Sequence, residues 1–154
     1  MELPQPGPEH ARLGRFAGTW SGEESLEPSP WGPGGTAHGR GVYQMVTDGM
    51  ALVQDYAETR GGAVAFRGHG VFTIDPQSRE VLWWWFDSMG FPPDGPARGT
   101  WVDETLTLTR NTPRGDSRYV FVWHGDSYEF SIENRFPGQS DFVLFMRALY
   151  RREA

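Results

Sequence analysis

From Gly18 onward the chain is a succession of short segments in which apolar and polar residues alternate with a period of two. Tyr128, Phe130 and Ile132 alternate with Glu129, Ser131 and Glu133, and Leu106 and Leu108 alternate with Thr105, Thr107 and Thr109. Such alternation predicts β-strands with one face turned to a core. Turn chemistry punctuates the segments. Asp48-Gly49 between Tyr43–Val46 and Leu52–Tyr56 predicts a type I′ hairpin, and Arg60-Gly61-Gly62 closes the next one. In Asp75-Pro76-Gln77-Ser78 the proline presets φ and the aspartate can accept bonds from the following amides. Val102–Thr105, His124-Gly125-Asp126 and Pro137–Ser140 follow at similar intervals. Counting these marks predicts roughly ten strands. The last, Phe142 to Tyr150, is apolar on both faces except at Arg147, which predicts a strand covered on both sides.

Two segments interrupt the spacing, Pro28–Gly35 and Ser88–Pro96, both too rich in proline and glycine to pair as strands. Each carries one aromatic residue, Trp31 or Phe91, which could fold over a barrel mouth or simply pin a surface loop. Residues 1–15 read as a polar, proline-rich arm with one helical turn at Glu9–Leu13 that stops near Gly14. Residues 16–154 read as one domain, with no linker and no long repeat. A meander of ten short strands has two exposed edges unless it closes. The expected fold is therefore all-β, a closed antiparallel up-and-down barrel.

Composition narrows the function. The chain has 154 residues, no cysteine, 20 glycines and seven tryptophans. The missing cysteines exclude disulfides, thiolate nucleophiles and Cys-ligated metals. The net charge is −6, and every strongly basic residue is an arginine. No basic run supplies the phosphate-neutralising stripe that nucleic-acid binding needs, so no nucleic-acid partner is expected. The longest apolar run, Val81–Phe86, is too short to span a bilayer, and Met1–Pro6 has no signal-peptide pattern. A cytoplasmic protein with no membrane partner is the expectation.

Gly18-Thr19-Trp20, opening the first strand after a short helical turn, resembles the lipocalin and calycin signature. The resemblance implies that Trp20 closes one barrel end under an arginine from the last strand, with Arg147 and Arg151 as the matching positions. A wider resemblance is to a bacterial family of uncharacterised single-domain proteins with a lipocalin-like barrel. It rests on the order and spacing of Leu13–Glu24, Thr47-Asp48-Gly49, Leu52–Tyr56, Gly68–Val71 with Asp75, Trp85–Gly90, Arg98–Trp101, Phe145-Met146 and Tyr150–Arg152. It implies the fold and no activity. The same Gly18–Gly22 segment with Pro28 faintly resembles the haem-binding nitrobindin barrels. Those ligate iron through a histidine near the C-terminal end, and this chain has none after His124, so no cofactor is expected.

No nucleophile elbow, zinc-binding histidine pair, phosphate loop or dinucleotide fingerprint is present. Gly39-Arg40-Gly41 and Gly68-His69-Gly70 fall inside strands, where glycine relieves barrel bending. His69 has room beside it and could orient a ligand. Alternation opposes that role, because Phe66, Phe72 and Ile74 share the face that excludes it. In Trp83–Asp87, Trp83, Trp85 and Asp87 share one face and Trp84 and Phe86 the other. Asp87 could hold a proton beside the tryptophans or cap a turn through Ser88 to Gly90. Paired acid–base carboxylates would need Asp87 near Glu24 or Glu129. Gln54, Tyr56, Tyr128 and Arg147 complete a polar set for an otherwise apolar cavity.

The leading expectation is a module that binds a small, mostly apolar molecule, with Tyr56, His69, Trp85, Asp87, Tyr128 and Arg147 as ligand-contacting residues and no metal site. An enzyme using the same cavity for acid–base chemistry, of hydrolase or isomerase type, is the chief alternative. A homodimeric structural barrel with its interior filled is the third.

Overall fold

A computed structural model describes all 154 residues. After a two-turn helix α1 (Pro8–Gly14), ten strands follow: β1 (Gly18–Leu26), β2 (Gly35–Val46), β3 (Ala51–Arg60), β4 (Ala63–Ile74), β5 (Val81–Asp87), β6 (Ala97–Val102), β7 (Thr105–Thr112), β8 (Gly115–Trp123), β9 (Ser127–Arg135) and β10 (Val143–Arg152). Each pairs antiparallel with its neighbour in sequence, and β1 pairs with β10 from Trp20↔Arg152 to Leu26↔Met146. The sheet is a closed up-and-down barrel, which leaves no free edge. No helix is long and apolar enough to cross a membrane.

The alternation read from the sequence sets the inward faces. Leu106 and Leu108 of β7, Tyr128 and Phe130 of β9, and Met146, Ala148 and Tyr150 of β10 are buried, and the alternation breaks at a bulge before Met146, where Phe145 also lines the interior. The expected cover over both faces of the last strand is absent: Arg147, Leu149 and Arg151 on its outer face are exposed. Its apolar outer residues reflect β-propensity rather than a second layer.

Turn chemistry held at Gly61-Gly62, where both φ values are positive (58° and 83°) between paired Arg60 and Ala63, the geometry of a type I′ turn. Asp75 accepts from the Gln77 amide at 2.9 Å, as the Asp-Pro turn predicted. The Asp48-Gly49 turn differs. Val46 pairs with Ala51, so four residues make the loop, with Thr47, Asp48 and Gly49 all left-handed (φ 51°, 57° and 84°).

One end of the barrel is sealed. The helix lies across it, and Leu13, Phe16 and Trp20 beneath are buried. The Trp20 indole N–H donates to the Phe16 carbonyl at 2.8 Å. The guanidinium over Trp20 belongs to Arg152, 4.2 Å from the ring, and it also donates to the carbonyls of Ala17 (2.8 Å) and Arg15 (2.9 Å). This corrects the assignment to Arg147 and Arg151. Those two side chains share the outer parity of β10, whereas Arg152 continues the inward series of Met146, Ala148 and Tyr150.

The opposite end is open, and its weakest seam lies between β5 and β6, joined by three residue pairs only, Val81↔Gly99 to Trp83↔Ala97. Beyond Trp83 the proline-rich Ser88–Pro96 segment takes the place of a strand, tied to the β7–β8 turn by an Asp94–Arg114 ion pair.

Candidate functional site

The open end leads into a cavity of about 670 Å³, lined by 25 residues of which 17 are hydrophobic. Its floor and walls are aromatic. Trp83 stacks on Phe72 (5.4 Å, 8°) and meets Tyr119 edge-on at 4.9 Å, and Phe121 lies 4.8 Å from Phe130. The interior is therefore only part-filled: rings occupy the sealed half and leave space in the other.

Glycines make that space usable. A Cβ on Gly68 would stand 2.1 Å from the Trp85 ring, and one on Gly70 would stand 2.5 Å from both Gln54 Oε1 and Trp83 Nε1. A Cβ on Gly39 would stand 2.2 Å from Glu24 Oε2. These positions let large side chains from neighbouring strands lie flat against the wall. The room that flanks His69 is thus on the opposite face from His69 itself.

Polar side chains inside the barrel form two networks. Deep in the cavity, Gln54 Nε2 donates to the Tyr43 hydroxyl at 2.9 Å, which shares a 2.7 Å hydrogen bond with the Tyr128 hydroxyl. Burial pushes both phenols well above their ordinary pKa. On the wall made by β1, β3 and β10, Tyr56 donates to Glu24 Oε2 at 2.5 Å and Tyr150 donates to the same oxygen. Tyr56 also approaches Glu58 at 3.2 Å, and Glu58 accepts from Arg60 at 2.8 Å near the mouth. Glu24 is fully buried, and its Oε1 has no partner. Burial, together with the nearby Glu58 carboxyl and against the two phenol donors, raises its pKa from 4.5 to about 7. The same burial and the adjacent Glu24 hold Tyr56 and Tyr150 protonated, so each remains a donor.

Of the six residues expected to contact a ligand, Tyr56, Trp85, Asp87 and Tyr128 line the cavity. Of the two roles considered for Asp87, the turn cap is the one seen: one oxygen accepts from the Met89 amide at 3.0 Å, and the other accepts from the Trp85 indole at 2.9 Å. His69 does not reach the interior. It lies on the outer face of β4, 44% exposed, with Nδ1 2.8 Å from Asp55, its cross-strand partner. Arg147 is also outside, in a shallow recess with Glu23 and Glu129. The carboxylate partner considered for Asp87 is not found at Glu129, an exposed residue 2.7 Å from His124. Glu24 instead pairs through Tyr56 with Glu58.

Sequence reasoning missed Glu58, Tyr150, Arg60 and Arg110, all of which line the cavity. Parity could have found them. Glu58 is in phase with Gln54 and Tyr56, Arg110 with Leu106 and Leu108, and Tyr150 with Met146 and Ala148. Of the two loop aromatics, Trp31 sits at the mouth against Phe136 and Phe145, each 5.5 Å away, whereas Phe91 is exposed and outside the lining.

None of the four histidines lines the cavity. His10 accepts from the Gly7 amide on the helix, His38 is exposed on β2, and His69 and His124 lie outside as described. The residues present therefore do not fit a histidine-ligated haem.

No curated protein matches the chain in sequence. Among solved structures, the crystal structure of Rv2717c from M. tuberculosis is similar, with a TM-score of 0.73 at 15% identity, covering 96% of this chain and 99% of that one. That likeness is one of fold. The family described as "Protein of unknown function (DUF1579)" matches residues 5–152, and over that span, barrel and helix together, the chain belongs to it.

Proposed function

We propose that the barrel is a binding module that holds a small, mostly apolar molecule in its interior. The observation that carries this reading is the 670 Å³ cavity, sealed at one end, open at the other and walled by aromatic rings with a few convergent polar groups. Ligand pockets have about this volume and this mixture of surfaces. An apolar body would displace water from the faces of Trp83, Trp85, Phe121 and Phe130, and Tyr56 and Asp87 would fix its orientation.

Titration with the neutral fluorophore N-phenyl-1-naphthylamine tests this directly. Saturable one-to-one binding is expected, weakened by Ile132→Trp, which fills the cavity, and unchanged by Arg147→Ala on the outer face. Absence of saturable binding, with no small molecule retained in native mass spectrometry of protein from its own host, would remove the proposal.

Acid–base chemistry in the same cavity is the second reading, favoured by Tyr56. It lines the cavity and places one phenolic proton between two carboxyls. Against it, Glu24 is sealed behind the wall with no exposed surface. Incubation of wild type and Tyr56→Phe with host metabolite extract, followed by mass spectrometry, separates the two readings. Products formed only by the wild type favour the enzyme.

A further inference from the structure

Four charged side chains line the cavity: Glu58, Arg60, Asp87 and Arg110. Three are satisfied within the protein. Glu58 is paired with Arg60 at 2.8 Å, and both oxygens of Asp87 accept N–H donors. Arg110 is not. It takes part in no ion pair of the protein, and its Nε is buried without a partner. A half-buried guanidinium with free donors at the edge of an aromatic cavity is costly unless an anion completes it.

Its surroundings are built for the same purpose. Arg110 pairs across strands with Ser117, and Ser117 with Asn134, so the three form a row over β7, β8 and β9 on the inward parity. The Ser117 hydroxyl donates to Asn134 Oδ1 at 2.9 Å, which leaves the Asn134 amide N–H₂ without a protein partner. The row stands next to the aromatic wall along the same strands, where Tyr119, Phe121 and Ile132 line the cavity. Donors without acceptors thus border an apolar surface.

We infer that Arg110, with Asn134 two strands along the same row, is an anion anchor at the cavity mouth, and that the ligand is amphipathic: an apolar body with a carboxylate or similarly shaped anionic head. The inference rests on the cavity-binding reading and names the chemical class of ligand it takes. A planar carboxylate matches the two-pronged guanidinium, and the apolar body lies down the aromatic wall away from the head. Glu58 and Asp87, the two carboxylates of the lining, already accept N–H donors from Arg60, Trp85 and Met89, so neither calls for a cationic head.

The test is displacement of bound N-phenyl-1-naphthylamine by three molecules of one chain length: dodecanoate, dodecan-1-ol and dodecylammonium. Dodecanoate is expected to bind roughly tenfold or more tightly than the other two, the size of effect a charge-assisted hydrogen-bonded pair gives. Arg110→Met is expected to bring dodecanoate down to the level of the alcohol measured on the same variant, with Arg110→Lys intermediate. Circular dichroism and melting of each variant establish that it folds, and the wild-type comparison stands without them. Equal affinity for the three heads, a preference for the ammonium, displacement by none of them, or a preference for dodecanoate that survives Arg110→Met would each overturn the anion anchor and leave the cavity reading intact. Failure of the fluorophore itself to bind would remove both.

Discussion

The two ends of the barrel use the same materials, tryptophan and arginine, for opposite ends. At the sealed end Arg152 covers Trp20 at 4.2 Å, Arg15 covers Trp123 at 4.7 Å and Arg12 covers Trp101 at 4.7 Å, and Glu104 pairs with both Arg12 and Arg15. At the open end Trp31 is 65% exposed and Arg110 has no partner. A guanidinium stacked on an indole and bonded to carbonyls fixes both groups. Pairing at the sealed end is itself incomplete, since Arg15 Nε and Nη2 and the Trp101 indole N–H have no partner there, but Arg110 has its unpaired donor beside an open space. Stability is concentrated at one end so that the other can stay open.

The largest effect expected from this division is at Trp20. Its ring is fully buried and bonded to Phe16, so Trp20→Ala should lower the unfolding free energy by about 3–5 kcal/mol, read by chemical denaturation. A loss below about 1 kcal/mol would mean that the sealed end is not where the fold is held.

Next comes Glu24, midway along β1 between Trp20 and the mouth residue Leu26. Its pKa is raised by burial from 4.5 to about 7, so the fold favours the neutral acid. The stability this provides is complete below the unfolded value and is lost as pH rises through about 7. At about 1.4 kcal/mol per unit the difference is about 3 kcal/mol. Glu24→Gln keeps an oxygen to accept from Tyr56 and Tyr150 and cannot ionise. The variant should match wild type near pH 4 and exceed it by about 3 kcal/mol at pH 8. Parallel stability curves across that range would show that the carboxyl does not titrate in the fold.

Much of this geometry was legible in the sequence, and its failures share one cause. Period-two alternation predicted the barrel, placed Trp83, Trp85 and Asp87 together on one face without deciding which face turns inward, and opposed an interior His69. Where residues were chosen for their chemistry rather than their parity, the structure moved them: His69 and Arg147 to the outer face, and the Trp20 cover from Arg147 and Arg151 to Arg152. The convergence of Glu24, Tyr56, Glu58 and Tyr150 was not legible, because it depends on how far three strands are sheared against one another. Glu24 lies opposite Ala37 and Ala148, not opposite the residues it bonds. Closure sets that stagger, and local pattern carries no record of it.

Arg152 gives the next smaller effect. Arg152→Met keeps the apolar stem over Trp20 and removes two charged hydrogen bonds to carbonyls, with an expected cost of about 2 kcal/mol. The carbonyls of Arg15 and Ala17 link the helix to β1, so faster amide exchange between Leu13 and Gly18 should accompany the loss. A destabilisation spread evenly over the barrel would argue against a local seal.

The smallest effect belongs to Trp31, the counterpart of Trp20 at the open end. It touches Phe136 and Phe145 at 5.5 Å, but most of its ring is in solvent in the folded protein, so little is lost when it is removed. Trp31→Ala should cost less than about 1 kcal/mol of stability, the usual range for an exposed aromatic pair. Its effect on affinity should be the larger one, because the ring borders the cavity. A several-fold weaker hold on N-phenyl-1-naphthylamine, measured as faster release, is the expected signature of a group that retains what is inside. If the melt falls as far as it does for Trp20→Ala while release is unchanged, the mouth holds the fold together just as the floor does, and the division of labour between the two ends collapses.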